Sequence, residues 1–402
     1  MLAALTVYAD ELDALDLQSA APAEAPPGAG KLYLEAALGQ ASPSGQTGTR
    51  QVGRLSLDYA ITTSLNNGLR ATFSNRLDYF DPEPSGTDTI VNSLRELYLS
   101  WQNPAATRVL EAGRINLRYG PAYGYNPTDF FRDGSVRALT TFDPLALREN
   151  RLGTFMLRGQ TLWDGGSLSL ALAPKLADQS SNSGWSVDAG ATNNRHRALA
   201  VLGTQWSPSV NSQTLLYWQD GNSTALGVNV TALVSDATTA HLEITHSSEP
   251  TLLTRTQGAT TPTVARNRLA GGLTYTTARK LSLTAEYHYN GFAPDSAEWT
   301  ALNLTDRGNF LVGRLPLQEL ASRQAYMLYL SQKDLLRQPL ELTAMLRLNA
   351  QDHSRMSWLE LRYRGSRFDL AAQLLHYSGD SGSEYGLVPD SRVVQILGHW
   401  FY

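Results

Sequence analysis

The 402-residue sequence predicts an all-β protein, a transmembrane antiparallel β-barrel of about eighteen strands, with sixteen the alternative count. Three observations carry that expectation. Runs of about 9–12 residues alternate apolar and polar side chains with period two, the length a tilted strand needs to cross a bilayer. Short turn-forming connections largely alternate with long polar loops. The chain closes on VVQILGHWFY, in which Val394, Ile396, Gly398, Trp400 and Tyr402 share one strand face.

Composition is consistent with crossing by strands rather than helices. Apolar residues make up 42% of the chain and mean hydropathy is -0.27. No run approaches the roughly 18 apolar residues that a spanning helix requires, whereas barrel strands average out polar because lipid-facing and lumen-facing positions alternate. Cysteine is absent, which excludes disulfides, thiolate metal sites and a Cys nucleophile. A net charge of -4 gives a nucleic-acid partner no electrostatic support. Of the 33 basic residues only four are Lys (31, 175, 280 and 333). A GC-rich genome accounts for that bias, although Arg also offers a planar fork for carboxylate or phosphate. The terminal aromatic strand resembles that of Gram-negative outer-membrane barrels, where it is recognised during assembly and closes the barrel. The resemblance implies an outer-membrane location, with short periplasmic turns and long extracellular loops.

Along the chain, Met1–Ala9 (MLAALTVYA) reads as a signal-peptide remnant, an apolar stretch ending in small residues. Residues 10–30 are acidic, then Ala/Pro/Gly-rich, and are expected to form a flexible periplasmic tail. The stretch Asp10–Leu17 could instead be a short amphipathic helix that plugs the pore or docks a periplasmic partner. The barrel is expected over 31–402. Its clearest strand is LELTAMLRLNAQ, where Leu340, Leu342, Ala344, Leu346, Leu348 and Ala350 alternate with Glu341, Thr343, Met345, Arg347 and Asn349. Turning Arg347 toward lipid near the midplane would cost about 2–4 kcal/mol, so the Leu row faces outward. The same alternation runs through Leu55–Ile61, Leu168–Leu172, Leu226–Val234 and Leu281–Asn290.

Turn formers mark short connections at Leu65-Asn66-Asn67-Gly68, Asn103-Pro104, Asp164-Gly165-Gly166, Ser207-Pro208, Asp236-Ala237, Ala278-Arg279, Arg337-Gln338-Pro339 and Arg364-Gly365-Ser366. Longer loops fall near 41–50, 81–92, 119–150, 176–194, 249–265, 292–322 and 379–390. Trp101, Trp163, Trp206, Trp218, Trp358 and Trp400 fall at or near strand ends, as an interfacial girdle requires.

The segment GRINLRYGPAYGYNPTDFFRDGSVRALTTFDPLALRENR, Gly113–Arg151, stands apart. Asn126-Pro127-Thr128-Asp129 is a turn former, and Phe130-Phe131 can anchor a loop against a wall. The GR…G…NPTDFF core resembles large proteobacterial porin-like barrels, including eighteen-stranded channels and exopolysaccharide exporters of the alginate-export type. That resemblance covers about forty residues and otherwise the architecture alone. It implies that the 119–150 loop folds inward and narrows the lumen; a loop that caps the barrel is the alternative.

Strand registers turn Arg54, Arg70, Arg76, Arg114 and Arg118 inward from early strands, and Arg347, Arg362 and Arg364 from late ones. Asn126, Asp129, Arg132 and Arg137 of the loop complete the candidate pore-lining set. Because the first and last strands are neighbours in a closed barrel, these groups could form one wall. Charged rings select ions, and an Arg-rich wall favours anions; the alternative is that the Arg and carboxylate side chains pair to hold the interior together. No catalytic or metal-binding set and no cofactor is expected: the seven His show no metal spacing. His288 with Glu286 is the one pair that a barrel-embedded lipid hydrolase could use. The leading expectation is therefore a non-enzymatic channel for small polar solutes, anionic ones included, in contact with outer-membrane lipid and lipopolysaccharide. An export conduit for an exopolysaccharide or other product, working with periplasmic and inner-membrane partners, is the rival.

Overall fold

The computed structural model describes residues 30–83 and 88–402. The expected leader (1–9) and tail, apart from Gly30, lie outside the described residues. The period-two runs form 18 strands in one sheet, and every pairing is antiparallel. The early strands are β1 (Lys31–Pro43), β2 (Arg50–Asn66), β3 (Leu69–Asp81), β4 (Ile90–Gln102), β5 (Arg108–Ile115) and β6 (Thr154–Trp163). Next come β7 (Gly166–Ala173), β8 (Arg197–Ser207), β9 (Val210–Gln219), β10 (Ala225–Ser235), β11 (Thr238–Pro250) and β12 (Thr263–Thr276). The late strands are β13 (Leu281–Asn290), β14 (Gln324–Gln332), β15 (Leu340–Asn349), β16 (Arg355–Arg364), β17 (Phe368–Ser378) and β18 (Asp390–Phe401).

Each strand pairs with its sequence neighbours, and β1 pairs with both β2 and β18. The sheet is thus a closed barrel with no free edge, which lipid requires because it offers no partner for an orphaned backbone group. The seam runs from Tyr33 opposite Phe401 to Gln40 opposite Val394. The Tyr402 amide extends it by donating to the Leu32 carbonyl at 3.0 Å. No helix among the described residues is long and apolar enough to cross a membrane; the crossing is made by strands.

All eight expected turns lie at one end of the barrel, together with the start of β1 and the end of β18. The opposite end carries the long connections, among them 116–153, 174–196, 251–262, 291–323 and 379–389. Two connections at that end, 220–224 and 350–354, are short, so loop length alternates less strictly than the sequence suggests.

Register follows the chemistry of the two faces. Leu38, Leu57, Leu99, Leu170, Leu216, Ile244, Leu328, Leu361 and Ile396 point outward and stay exposed, forming the apolar band that lipid covers. Trp101, Trp163, Trp206, Trp218 and Trp400 are exposed near strand ends. Trp358 departs from that girdle. It shares its face with Met356 and Glu360, so it points inward and packs at 3% exposure with Met345 and Leu375. The interior is polar, with Glu243, Glu286, His288, Asn229 and Arg76 among its buried groups.

A β-bulge interrupts β4, where Ser74 pairs with Glu96 but Asn75 pairs with Leu94. The extra residue lets two consecutive side chains turn inward: Arg95 reaches Asp58 at 2.5 Å, and Glu96 accepts the Asn116 amide at 3.3 Å.

Candidate channel interior and outer vestibule

After β5 the chain turns into the barrel. The base of the 116–153 connection is fixed by Arg151, whose guanidinium grips Asp129 bidentately at 2.7 and 3.0 Å. The same side chain donates to Asn116 Oδ1 and the Leu117 carbonyl, each at 2.8 Å. Arg148 donates to the Tyr119 carbonyl at 2.9 Å and lies 3.6 Å from Asp129. Burial would raise the Asp129 carboxyl, but Arg151 and Arg148 outweigh it and hold the group below its ordinary value.

The tip of the segment is held by the far wall. Glu243 on β11 accepts from the Ala122 amide at 2.7 Å, Asn126 Nδ2 at 3.0 Å and Thr128 Oγ1 at 2.9 Å. Glu286 on β13 accepts from the Tyr123 and Gly124 amides at 2.7 and 2.8 Å, and also meets His241 and His288 at 2.9 and 2.8 Å. Arg347 on β15 donates to the Gly124 carbonyl at 2.7 Å. Gly120, at φ +94, comes so close that a Cβ would lie 2.4 Å from the Glu243 carboxylate. In an 18-strand ring, β5 and β13 are eight strands apart one way and ten the other, so the segment crosses the lumen near a full diameter.

Side contacts steady the crossing. Phe130 stacks on Tyr217 of β9 with ring centroids 4.5 Å apart, and Phe131 meets the same ring edge-on at 6.0 Å. Tyr123 packs on Tyr329 of β14, and Asp143, which caps the short helix Pro144–Glu149, approaches the Tyr329 hydroxyl at 3.5 Å. A second clamp joins the crossing to the 291–323 loop: Arg132 pairs with Glu319 at 2.6 Å, and the Tyr125 hydroxyl donates to Glu319 at 2.7 Å. Burial would raise Glu319, but Arg132, Arg268 and Arg255 pull it down to about 2. Glu149 keeps 70% of its side chain exposed and Arg118, 4.0 Å away, keeps 26%. Solvent-accessible space therefore remains beside the crossing segment.

The inward Arg residues of the first and last strands meet as one wall. Arg54 pairs with Glu35; Arg76 reaches Glu35 at 2.8 Å, Asp78 at 2.9 Å and Asp58 at 3.5 Å. Arg362 pairs with Glu360 at 2.8 Å, and Arg364 with Glu341 and with Asp369 at 3.0 Å. His399 links the two halves across the seam, 2.6 Å from Glu35 and 3.0 Å from Arg362. Arg70 faces inward on β3, toward the turn end of the barrel. Arg114 is buried and donates to backbone carbonyls, at 2.9 Å for Gly153 and 3.3 Å for Asp188, and also to Val187. Arg137 likewise donates to the carbonyls of Asn92, Ser183 and Ser186.

The structure adds a feature that strand registers do not reveal. Above the crossing segment, on the long-loop side, lies a cavity of about 430 Å³ lined by Arg137, Arg195, Arg197 and Arg255, with Asp133 and Asp188. Arg255 pairs with Asp133 at 2.9 Å and Glu249 at 3.2 Å. Arg195 has no ion pair or hydrogen bond among the described residues. Arg197 is buried over the Phe131 ring at 4.8 Å, and its Nε has no partner. These residues come from separate loops and strand ends, so no local motif announces them.

His288 and Glu286 face the lumen and bind the crossing segment, away from the lipid-facing rim that a lipid hydrolase would use. Among the described residues no His, Cys, Asp or Glu group is arranged to hold a metal.

No family model and no curated protein sequence matches the chain. Solved structures do match in fold. Acinetobacter baumannii OccAB1 superposes with a TM-score of 0.59 at 9% identity, covering 93% of this chain and 96% of its own. Pseudomonas aeruginosa OccK8 (OprE) gives 0.55 at 11% identity, covering 94% and 98%. Acinetobacter baumannii OccAB4 gives 0.55 at 10% identity, covering 93% and 97%. These structures share the fold of this chain, which is itself a closed antiparallel ring of 18 strands with an apolar outer band.

Proposed function

We propose that the protein is a passive outer-membrane channel for small polar solutes that favours anions, narrowed by the 119–150 segment. The observation that carries this reading is the segment itself. Chain continuity with β5 and β6 holds its base, where Arg151 braces Asp129, and Glu243, Glu286 and Arg347 hold its tip to the far wall. Solute must then pass beside it, where Arg118 and Glu149 remain accessible. The preference for anions rests on the vestibule above it, where Arg255 pairs with Asp133 and Glu249 but Arg137, Arg195 and Arg197 form no ion pair among the described residues. By contrast, Arg54, Arg76, Arg362 and Arg364 each meet a carboxylate, so that wall contributes little net field. Focused charge in a narrow, low-dielectric mouth raises the local concentration of counter-charged solute.

Planar-bilayer recording tests both parts. The intact protein is expected to conduct with an anion-selective reversal potential. Replacing Arg195 and Arg197 together by Ala should move that potential toward cations, and deleting within Pro121–Glu149 should raise single-channel conductance several-fold. A silent bilayer with the intact protein would end the channel reading, and unchanged conductance after deletion would end the constriction. The export-conduit reading rests on an Arg-lined pore for polyanions and on the 10–30 tail as a docking element, which apart from Gly30 lies outside the described residues.

A further inference from the structure

Two arginines and a histidine cluster on the outside of the barrel, apart from the channel. Arg392 of β18 lies directly across from His376 of β17, and Arg355 of β16 lies across from Ser378, diagonal to His376. Trp358 and Glu360, Gln373 and Leu375, and Gln395 and Leu397 on the same strands are buried or half-buried and point inward. By alternation, Arg355, His376 and Arg392 point away from the lumen, and all three are exposed. They sit where these strands emerge toward the long loops. Leu374 and Val394 follow two residues deeper, about 7 Å along a strand, and begin the apolar band that Leu359, Leu370 and Ile396 continue. These side chains therefore border the outer-leaflet edge of the lipid-covered surface.

None of the three has an acidic partner. Arg355 Nε donates to Ser378 Oγ at 3.0 Å, and Arg392 Nη2 reaches Ser42 Oγ at 3.4 Å. Neither forms an ion pair among the described residues, and the His376 side chain makes no hydrogen bond there. Asp390, two residues before Arg392, is engaged by Arg50 at 2.5 Å. Arg355 and Arg392 thus flank His376 with no carboxylate among the described residues paired to either, an arrangement that an anion lying between them would satisfy. At the turn end of the same strands the outward positions hold Tyr363, Phe368 and Trp400 instead, a neutral aromatic border.

We propose that Arg355, His376 and Arg392 form a binding site on the barrel wall for the phosphorylated headgroup of an outer-leaflet glycolipid, lipopolysaccharide. The two guanidiniums offer forked donors that match phosphate oxygens. The acyl chains of the same lipid would lie against Leu359, Leu370, Leu374, Val394 and Ile396. A zwitterionic lipid would leave the positive surplus uncompensated, and an ordinary inner-leaflet phospholipid would meet the aromatic border at the other end. The site is independent of channel selectivity.

Native mass spectrometry of the full chain in detergent tests this with three lipids: lipopolysaccharide, the same lipid enzymatically dephosphorylated, and phosphatidylglycerol. The intact protein should retain lipopolysaccharide at least tenfold more tightly than either comparison lipid. The double variant R355A/R392A should lose that margin, and R266A, which removes a rim cation elsewhere, should keep it. Heat-modifiable gel mobility shows whether each variant is folded. If the double variant does not fold, H376E places a negative charge between the two arginines and is read the same way. Equal retention by the double variant, or phosphatidylglycerol or dephosphorylated lipid bound as tightly as lipopolysaccharide, would overturn the assignment.

Discussion

Glu243 satisfies the Ala122 amide, the Asn126 amide group and the Thr128 hydroxyl from one buried carboxylate. A Glu243→Ala change leaves those donors unpaired, at about 1–3 kcal/mol for each buried group. The tip should detach while the barrel stays folded, seen as increased current noise and as new proteolytic cleavage between 119 and 130. At Glu319 the carboxyl sits at about 2 against an ordinary 4.5. Its contribution to the clamp is therefore complete above the ordinary value and lost as pH falls through about 2. Glu319→Gln should loosen the 291–323 loop at neutral pH, measured as faster amide exchange in that loop. These two carboxylates could not be ranked from sequence, because their partners, the Ala122 amide for Glu243 and Tyr125 and Arg132 for Glu319, arrive from more than a hundred residues away. Arg95 was hidden for a different reason: strict alternation places it outward beside Glu96, and only the bulge turns both inward.

The strands were legible because their side-chain period and turn chemistry are local properties. The Leu340 strand keeps the register demanded by Arg347, and Asn66-Asn67-Gly68 turns where φ becomes positive at Asn67 and Gly68. The path of the 116–153 connection was legible only in part. NPTDFF announced a turn and two anchoring rings, but the partners of Asp129 and Glu243 follow from tertiary placement. Asp143, at the start of the short helix, is pushed up to about 6 from 3.8 by burial, with Glu360 and Glu149 adding to the effect. A carboxyl raised in the folded state favours its neutral form. The stability associated with it is fullest below its ordinary value and is lost as pH rises through about 6. Between pH 5 and 7 the lower part of the crossing segment should loosen, giving a pH-dependent change in open-channel noise. Asp143→Asn should abolish that dependence; an unchanged noise profile in the variant would show that another group is responsible.

At the scale of the barrel, the chemistry of the two faces determines what can be substituted. Ile396, 58% exposed on the lipid side, should cost about 2–4 kcal/mol when replaced by Arg near the midplane. Gln395, its inward neighbour, lies in a polar interior beside Gln373, where an Arg should cost far less. Urea unfolding in lipid vesicles would compare the two, and equal costs would contradict the assigned register. Closure was foreseeable because an even strand count and a terminal aromatic strand leave one consistent seam. The vestibule was not, since Arg137, Arg195, Arg197 and Arg255 converge only after the loops have folded.

The segment that continues from β5 and is held at its far end by β11, β13 and β15 also has a mechanical meaning. A hollow cylinder under lateral pressure flattens most readily into an oval, and a strut across one diameter opposes that change of shape along its own axis. The intact protein should therefore keep a nearly constant conductance when bilayer tension is varied. A protein lacking the strut should conduct more and also vary with tension, so its cross-section would follow the membrane around it.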